Sequence, residues 1–348
     1  MEYIKNIIER YKQIRNFRML HQTYKGKYAF VGIGNHSMNN LYPVLDYLHV
    51  PLKHICCKSS SKLSLIEKVF PHIHATTSLD EILEDEEIKG VFVSASPNTH
   101  FSIASKVIES NKALFIEKPP CQNTEELMRL VELQKQKDVL AVVDLQKRCT
   151  PAVQSLKREL SKCNGTMTYN LKYLTGAYPE GDSLINLFIH PLDVVVYLFG
   201  NAEVRYAENI GGHTLMLMLK HTNVTGILEL STGYTWTDAQ ECMTINTNRG
   251  IYTLENMDSL IFQQKPYSFC GVPLEKVFKH KKVTVELFGR NNFIPISQNN
   301  QVFTQGYYSA IKRFVDAVEG TEHSVPHSLH TCVSTYSLID SINSFTKK

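Results

Sequence analysis

The eight cysteines include no Cys-x-x-Cys pair, and no long apolar run occurs anywhere in the chain. The first absence removes a common redox and zinc spacing. Adjacent Cys56 and Cys57, in a chain without an apolar signal core, are instead expected to be reduced thiols of a cytoplasmic protein. The second absence excludes a membrane span, which needs roughly 18 consecutive apolar residues. No basic block interleaved with aromatics is present, so nucleic acid is not an expected partner. Charge of one sign is also scarce, with a formal net charge of +3 over 348 residues. What remains is a globular composition, 43% hydrophobic and 20% charged, long enough for two domains.

Residues 1–24 are predicted as a helical extension. Ile4, Ile7, Ile8, Tyr11, Ile14, Phe17 and Leu20 fall at helical spacing with Lys and Arg between them. Such a stripe is expected to pack on the body or on a second subunit. Membrane-surface binding is disfavoured, because no dense basic cluster flanks the apolar face.

The first strand, Lys27–Ile33, runs into Gly32-x-Gly34-x-x-Ser37. The two glycines permit a tight turn and close approach of a pyrophosphate. Small Ser37 lets the next helix pack on the strand, and the helix start at Asn35 and His36 faces the phosphates. An ordinary strand–helix turn is the alternative. Leu52–Cys57 is the second strand, and here another absence matters. No acidic residue lies between Asp46 and Glu67, where an NAD site usually carries the Asp or Glu that holds the ribose hydroxyls. Lys58 and Ser59, followed by Ser60, Ser61 and Lys62, suit a 2′-phosphate. NADP(H) is therefore predicted as the preferred cofactor and NAD(H) as a possible one; a solvated loop is the alternative.

Ser78-Leu79-Asp80-Glu81 is a capping box. The strand Gly90–Ser96 leads into Ser96-Pro97-Asn98-Thr99-His100, where His100 either touches the ligand or packs at the start of the following helix. Ala113–Ile116 is a short apolar strand ending on Glu117 and Lys118 before Pro119 and Pro120. That places the charged pair at the C-terminal edge of a parallel sheet, where open α/β sheets bind ligands. A helix from Thr124 to Lys137 and the strand Val139–Val143 complete a β–α repeat over residues 25–145, the signature of a doubly wound parallel sheet.

From Gly165 the pattern changes. Thr166–Leu174, His213–Lys220, Thr225–Ser231, Glu241–Asn246 and Gly250–Leu254 alternate as strands of a mostly antiparallel sheet. One long helix interrupts them, residues 255–304 read as loop-rich, and Tyr308–Glu319 and Ser328–Phe345 read as closing helices. Residues 146–348 are thus predicted as an α+β region. In its helix, Asn186 and His190 are four apart and share one face, and Asp193 follows three later. Asp182 is expected as the N-cap.

Three of these motifs stand in the order found in the Gfo/Idh/MocA family of glucose–fructose oxidoreductase and inositol dehydrogenase: the Gly32-x-Gly34 turn, Glu117-Lys118-Pro119, and the His190 helix ending at Gly200. Ser96–His100 is similar to the family's Pro-Asn-x-x-His turn, which lies near the nicotinamide, although here one residue and not two separates Asn98 from His100; Gln146–Pro151 is similar to its Arg-x-x-Pro segment. The resemblance implies a Rossmann domain followed by an α+β domain with an open antiparallel sheet. It implies an NAD(P)-dependent dehydrogenase or reductase acting on a sugar, cyclitol or related polyol, and a homodimer or homotetramer. His190 would be the acid/base and Lys118 would assist at the reacting oxygen. Ser96, Pro97, Asn98, His100 and Glu117 would join the cofactor site. Asn186 departs from the family, which has Asp there to tune the histidine; an amide orients without charge, so a lower His190 pKa is expected. Imine or carbonyl reduction, a transient oxidation in NAD-dependent glycoside cleavage, and a non-catalytic dinucleotide sensor are the rival functions. Retention of Lys118 and His190 argues against the sensor. Arg148, Tyr173, Tyr178 and Asp193, with Trp236 nearby, are the substrate-side candidates, each also readable as packing. No metal is expected: His323, His327, His330 and Cys332 have metal-like composition, but Pro326 interrupts their spacing.

Overall fold

The structure is a computed structural model describing residues 2–20, 24–179, 181–266, 268–270, 272–274, 283–291, 300–322 and 324–346. Six short apolar runs form its first sheet: β1 (Lys27–Val31), β2 (Leu52–Cys56), β3 (His74–Thr76), β4 (Ile88–Val93), β5 (Ala113–Ile116) and β6 (Ala141–Val143). Their order is β3-β2-β1-β4-β5-β6, and every pairing is parallel. The winding direction reverses between β1 and β4, so a crevice opens beyond the C-terminal ends of those strands. The central strands read as continuous apolar runs because helices cover both faces. Phe30, Phe92 and Phe115 are fully buried there. One covering helix comes from the far end of the chain: Tyr307–Val318 sets Phe314 against Phe92 and Phe115, at ring-centroid distances of 5.2 and 5.6 Å. Residues 146–348 therefore supply part of the first sheet's own core.

The second sheet comprises β7 (Met167–Leu174), β8 (Glu203–Ile210), β9 (Thr214–Lys220), β10 (Val224–Ser231), β11 (Gln240–Asn246), β12 (Gly250–Glu255), β13 (Ser259–Gln264) and β14 (Thr284–Gly289). The order is β14-β13-β12-β11-β7-β10-β9-β8, antiparallel except for β7 with β10. β13 and β14 lie in the stretch expected to be loop-rich. β8 and β14 are edge strands with mostly exposed side chains; pairing to a neighbour, rather than a buried stripe, makes them strands. On the outer face, register aligns Tyr206, Met218 and Ile227 in one row across β8, β9 and β10, and all three are exposed.

Two helical expectations change. The helix Glu2–Leu20 forms, but Tyr3, Ile4, Ile7, Ile8, Tyr11 and Ile14 are exposed rather than packed on the body; Phe17 and Leu20 lie outside the described side chains. The helix expected through His190 is broken into Ser183–Asn186 and Ile189–Phe199. Pro191 has no N–H for the Leu187 carbonyl, and its ring would crowd that group, so the chain turns at Leu187 and Phe188 before restarting. Asn186 and His190 therefore do not share a continuous helical face. No helix among the described residues is long and apolar enough to cross a membrane.

Candidate active site

The turn after β1 has the shape its glycines demanded. Gly32 has φ +110°, and a Cβ there would come within 2.0 Å of the Ser94 carbonyl oxygen. A Cβ on Gly34 would meet no atom within 4 Å, so that side of the turn is open. Ser37 is buried, and its Oγ accepts from the Gly34 N–H at 3.0 Å. Asn35 and His36 stand exposed at the helix start. A closely approached glycine turn that opens a helix fits the pyrophosphate of a dinucleotide. At the end of β2, Lys58 and Ser59 are exposed. Ser59 Oγ lies 2.7 Å from Ser61 Oγ, and Lys62 reaches back to donate to the Ile33 carbonyl at 3.5 Å, which closes this loop over the glycine turn.

Beyond β4, the helix Pro97–Glu109 begins with Ser96 as its N-cap and Pro97 in its first turn. Ser96 and Asn98 are exposed. The Ser96 carbonyl accepts from Thr99 Oγ1 at 2.8 Å. His100 takes the packing role of its two alternatives. It is 1% exposed, with Nδ1 2.7 Å from the Pro119 carbonyl and Nε2 3.0 Å from the Ala95 carbonyl. The ring thus sits between two strand-end loops with each nitrogen facing a carbonyl, and as a neutral imidazole with one N–H it donates to one of the two. Burial holds its pKa below the ordinary imidazole value.

Glu117 and His36, which the sequence placed separately in the cofactor set, meet across the crevice: Glu117 Oε1 lies 2.8 Å from His36 Nε2. For His36, whose ring is partly desolvated though still accessible, that loss of hydration works to lower the pKa, but the Glu117 bond and charge outweigh it, leaving it raised. Lys118 donates from Nζ to the Asn186 carbonyl at 2.7 Å. That bond joins the edge of the first sheet to the helix pair carrying His190. His190 is buried, and its Nδ1 has no hydrogen-bond partner among the described residues. Its pKa lies well below the ordinary value because of burial first, then the positive charges of Lys118, Lys147 and His36. The direction is the one expected from Asn186, but the leading cause is different. The Asn186 side-chain oxygen is itself buried without a partner, so the amide does not hold the ring; Asn186 contributes its backbone carbonyl.

Two neighbours in the chain, Lys147 and Arg148, meet different partners. Arg148, a substrate-side candidate, is buried with all five guanidinium N–H groups engaged. Nε and Nη2 donate to Asp193 at 2.7 and 2.5 Å, Nη1 to the Pro326 carbonyl and Thr331 Oγ1, and Nη2 also to the Thr331 carbonyl. An arginine has five such donors, so none remains for a ligand. Asp193 is consumed by the same pair and by Thr335 Oγ1 at 2.9 Å. Lys147 was overlooked. Its Nζ lies 2.5 Å from Glu241 Oε2 and 4.8 Å from the Tyr173 ring centroid, and its charge reaches His190. Glu241 Oε1 is buried without a partner. The available signal was position, since Lys147 occupies the same segment as Arg148. Tyr173 also packs on Phe188, at 6.2 Å between centroids, and Tyr178 is half-buried against the core. Trp236 is exposed and donates to the Ala177 carbonyl at 2.9 Å. Of the metal-like cluster, His323 lies outside the described residues, and no potential metal-holding group occurs among the described ones.

Residues 26–145 match the GFO_IDH_MocA family model, described as an oxidoreductase family with an NAD-binding Rossmann fold. That match covers about a third of the chain, and over it the chain is similar to the Gfo/Idh/MocA family. Its curated relatives include the uncharacterized oxidoreductase YhhX of Escherichia coli, 27% identical over 190 residues, which are 50% of this chain and 54% of that protein. Another is the myo-inositol 2-dehydrogenase of Thermotoga maritima, 25% identical over 146 residues, 39% of this chain and 41% of that protein. The matches thus span about half of these relatives or less. Among solved structures, a dehydrogenase of Chromobacterium violaceum superimposes with a TM-score of 0.76 at 17% identity, over 92% of this chain and 95% of that one. The UDP-N-acetylglucosamine 3-dehydrogenase of Acidithiobacillus ferrooxidans gives 0.73 at 16% identity, over 92% and 97%. At these identities the likeness to the solved structures is one of fold, and it extends over both sheets.

Proposed function

We propose that this protein is an NAD(P)-dependent oxidoreductase acting on a sugar, a cyclitol or a related polyol or ketone. The convergence of Lys118 and a buried His190 at the C-terminal edge of the dinucleotide sheet carries this reading. When bound, the nicotinamide ring supplies or accepts a hydride at C4. His190 is neutral at neutral pH, so it takes the proton of the carbinol hydroxyl in oxidation and returns it in reduction. The Lys118 ammonium, anchored by the Asn186 carbonyl, donates to the same oxygen and favours a developing alkoxide. Glu241, paired with Lys147, offers a buried carboxylate oxygen to a further hydroxyl, which suits a ligand rich in hydroxyls. Two similar proteins named for a cyclitol and a sugar nucleotide support that class. The test is a panel of polyols and sugar ketones assayed with both dinucleotides; absence of any turnover that depends on Lys118 and His190 would reject the reading.

NADP(H) is the preferred cofactor in this proposal, because no acidic residue lies between Asp46 and Glu67 in the sequence, whereas Lys58, Ser59 and Lys62 follow β2 directly. NADPH is expected to bind at least about tenfold more tightly than NADH, about one charged contact's worth, and Lys58→Glu should remove the difference. Equal affinities in a fluorescence titration of the wild type would exclude the preference.

We also propose a homodimer, or a tetramer built from it, joined through the outer face of the second sheet, where the row Tyr206–Met218–Ile227 is apolar and exposed. Light scattering should give at least twice the chain mass, and Ile227→Lys should give the monomer. A monomeric wild type would overturn the assignment.

A further inference from the structure

Asp144 is an ionisable group that the chemistry above does not use. It follows β6 directly, and its N–H donates to the Ile116 carbonyl at 2.7 Å. Because β5 and β6 are parallel with Ile116 opposite Val143, Asp144 stands beside Glu117 at the next step of the sheet. It is 0% exposed. Neither of its carboxyl oxygens meets a donor among the described residues. The parallel register instead sets its carboxyl beside that of Glu117, whose charge acts on it. Two carboxylates cannot hydrogen-bond to each other unless one of them carries a proton, and a buried ionised carboxylate with neither donor nor counter-charge is strongly disfavoured. Glu117 has a partner for its charge in His36, at 2.8 Å. Asp144 has no donor, and burial with the Glu117 charge outweighs the Lys118 charge that also reaches it, so the proton belongs to Asp144.

The remaining groups around the pair do not change this. Lys118 adjoins Glu117 and lowers the cost of one negative charge there. Tyr307, from the helix Tyr307–Val318, is a neutral phenol held high by burial and then by the two carboxyls. Gln146 presents a side-chain oxygen that is itself an unpartnered acceptor. Cys149 is a buried neutral thiol, pushed up to about 12 chiefly by burial. Burial and the adjacent Glu117 charge hold Asp144 well above the usual carboxylate range, in the same direction as the hydrogen-bond argument.

We propose that Asp144 is a positioning residue that stays a neutral acid at neutral pH: its O–H donates to Glu117, and the chain Asp144–Glu117–His36 holds the His36 ring at the mouth of the dinucleotide turn. One negative charge, not two, then stands beside the place where phosphates bind, and Glu117 is fixed for His36 instead of swinging toward Lys118. The protonation of Asp144 rests on its burial, its place beside Glu117 and its lack of a donor; its effect on cofactor binding rests on the dinucleotide reading of this edge.

The test compares infrared spectra of the full chain without cofactor, wild type minus Asp144→Asn, at pH 7. A carbonyl stretching band of a protonated carboxyl group, shifting on deuterium exchange, is expected in the wild type and in His190→Ala, and absent from Asp144→Asn. Its absence from the wild type would overturn the proposal. In NADPH titrations, Asp144→Asn is expected to bind within about threefold of wild type, since the amide N–H replaces the acid O–H. Asp144→Ala is expected to bind about tenfold more weakly, the scale of one hydrogen bond to a charged group. Equal loss in both variants would overturn the positioning role even if the band is present. Should Asp144→Ala fail to fold, the band and the Asp144→Asn titration still decide. A wild type that shows the band but binds no dinucleotide would reject the cofactor reading and leave the neutral acid standing.

Discussion

His190→Ala is expected to lower turnover by about 10²–10⁴-fold, the usual scale of a positioned acid/base, while NADPH affinity changes little. The separation follows from position. His190 lies on the helix Ile189–Phe199, across the crevice from the glycine turn, and touches the reacting oxygen rather than the phosphates in the proposed reaction. Steady-state assays and a fluorescence titration on the same preparation check both halves; unchanged turnover would remove His190 from the chemistry and revive the sensor. The pH dependence has a definite sign. Oxidation needs neutral imidazole, so the rate falls as pH drops through the His190 pKa. Since burial and the charges of Lys118, Lys147 and His36 depress that pKa below 6.5, the acid limb should lie below the range of a free histidine. Asn186→Asp adds a carboxylate that favours imidazolium, so the limb should move to higher pH. A limb that stays in place would show that the side chain at 186 does not act on the ring, in keeping with its unpartnered oxygen.

Arg148→Met is expected to destabilise the fold by about 3–5 kcal/mol, the scale for breaking a buried ion pair on one side. The physical reason is the stranded partner. Asp193 is 1% exposed and, among the described residues, keeps only Thr335 Oγ1 as a side-chain donor when the guanidinium is lost. The Pro326 and Thr331 carbonyls lose their donor at the same time. Denaturant unfolding measures the loss. Adding Asp193→Leu should recover part of it, because removing both charges is milder than removing one. The Michaelis constant of the folded variant should stay near wild type. A raised Michaelis constant with unchanged stability would return Arg148 to the substrate site.

These two residues mark where reading from sequence succeeds and where it stops. The parallel sheet was legible because its strands are short, apolar and separated by turn residues and caps that act locally. The helix Thr124–Lys137 has both of its predicted ends, and its start is set by Asn123, whose side chain accepts from the Glu126 N–H at 2.9 Å. The break before His190 was also local, since Pro191 is three residues past Phe188, but the helical spacing of Asn186 and His190 drew the eye past it. Edge strands β8 and β14 carry little buried stripe, so their strand character comes from a neighbour's hydrogen bonds and leaves a weak trace in composition.

By itself the sequence determined the doubly wound sheet, the glycine turn and its open side, and the placing of Lys118 at a strand end. Each depends on backbone sterics and side-chain periodicity within a few residues. Tertiary structure alone decided between Lys147 and Arg148, adjacent in the chain and alike in charge. Lys147 meets Glu241, 94 residues on, beside the site, whereas Arg148 meets Asp193, 45 residues on, inside the protein. It also set Asp144 against Glu117 and gave Glu117 to His36. The fate of a buried charge depends on which distant groups the fold brings within a few ångströms of it, and no local pattern along the chain records that distance.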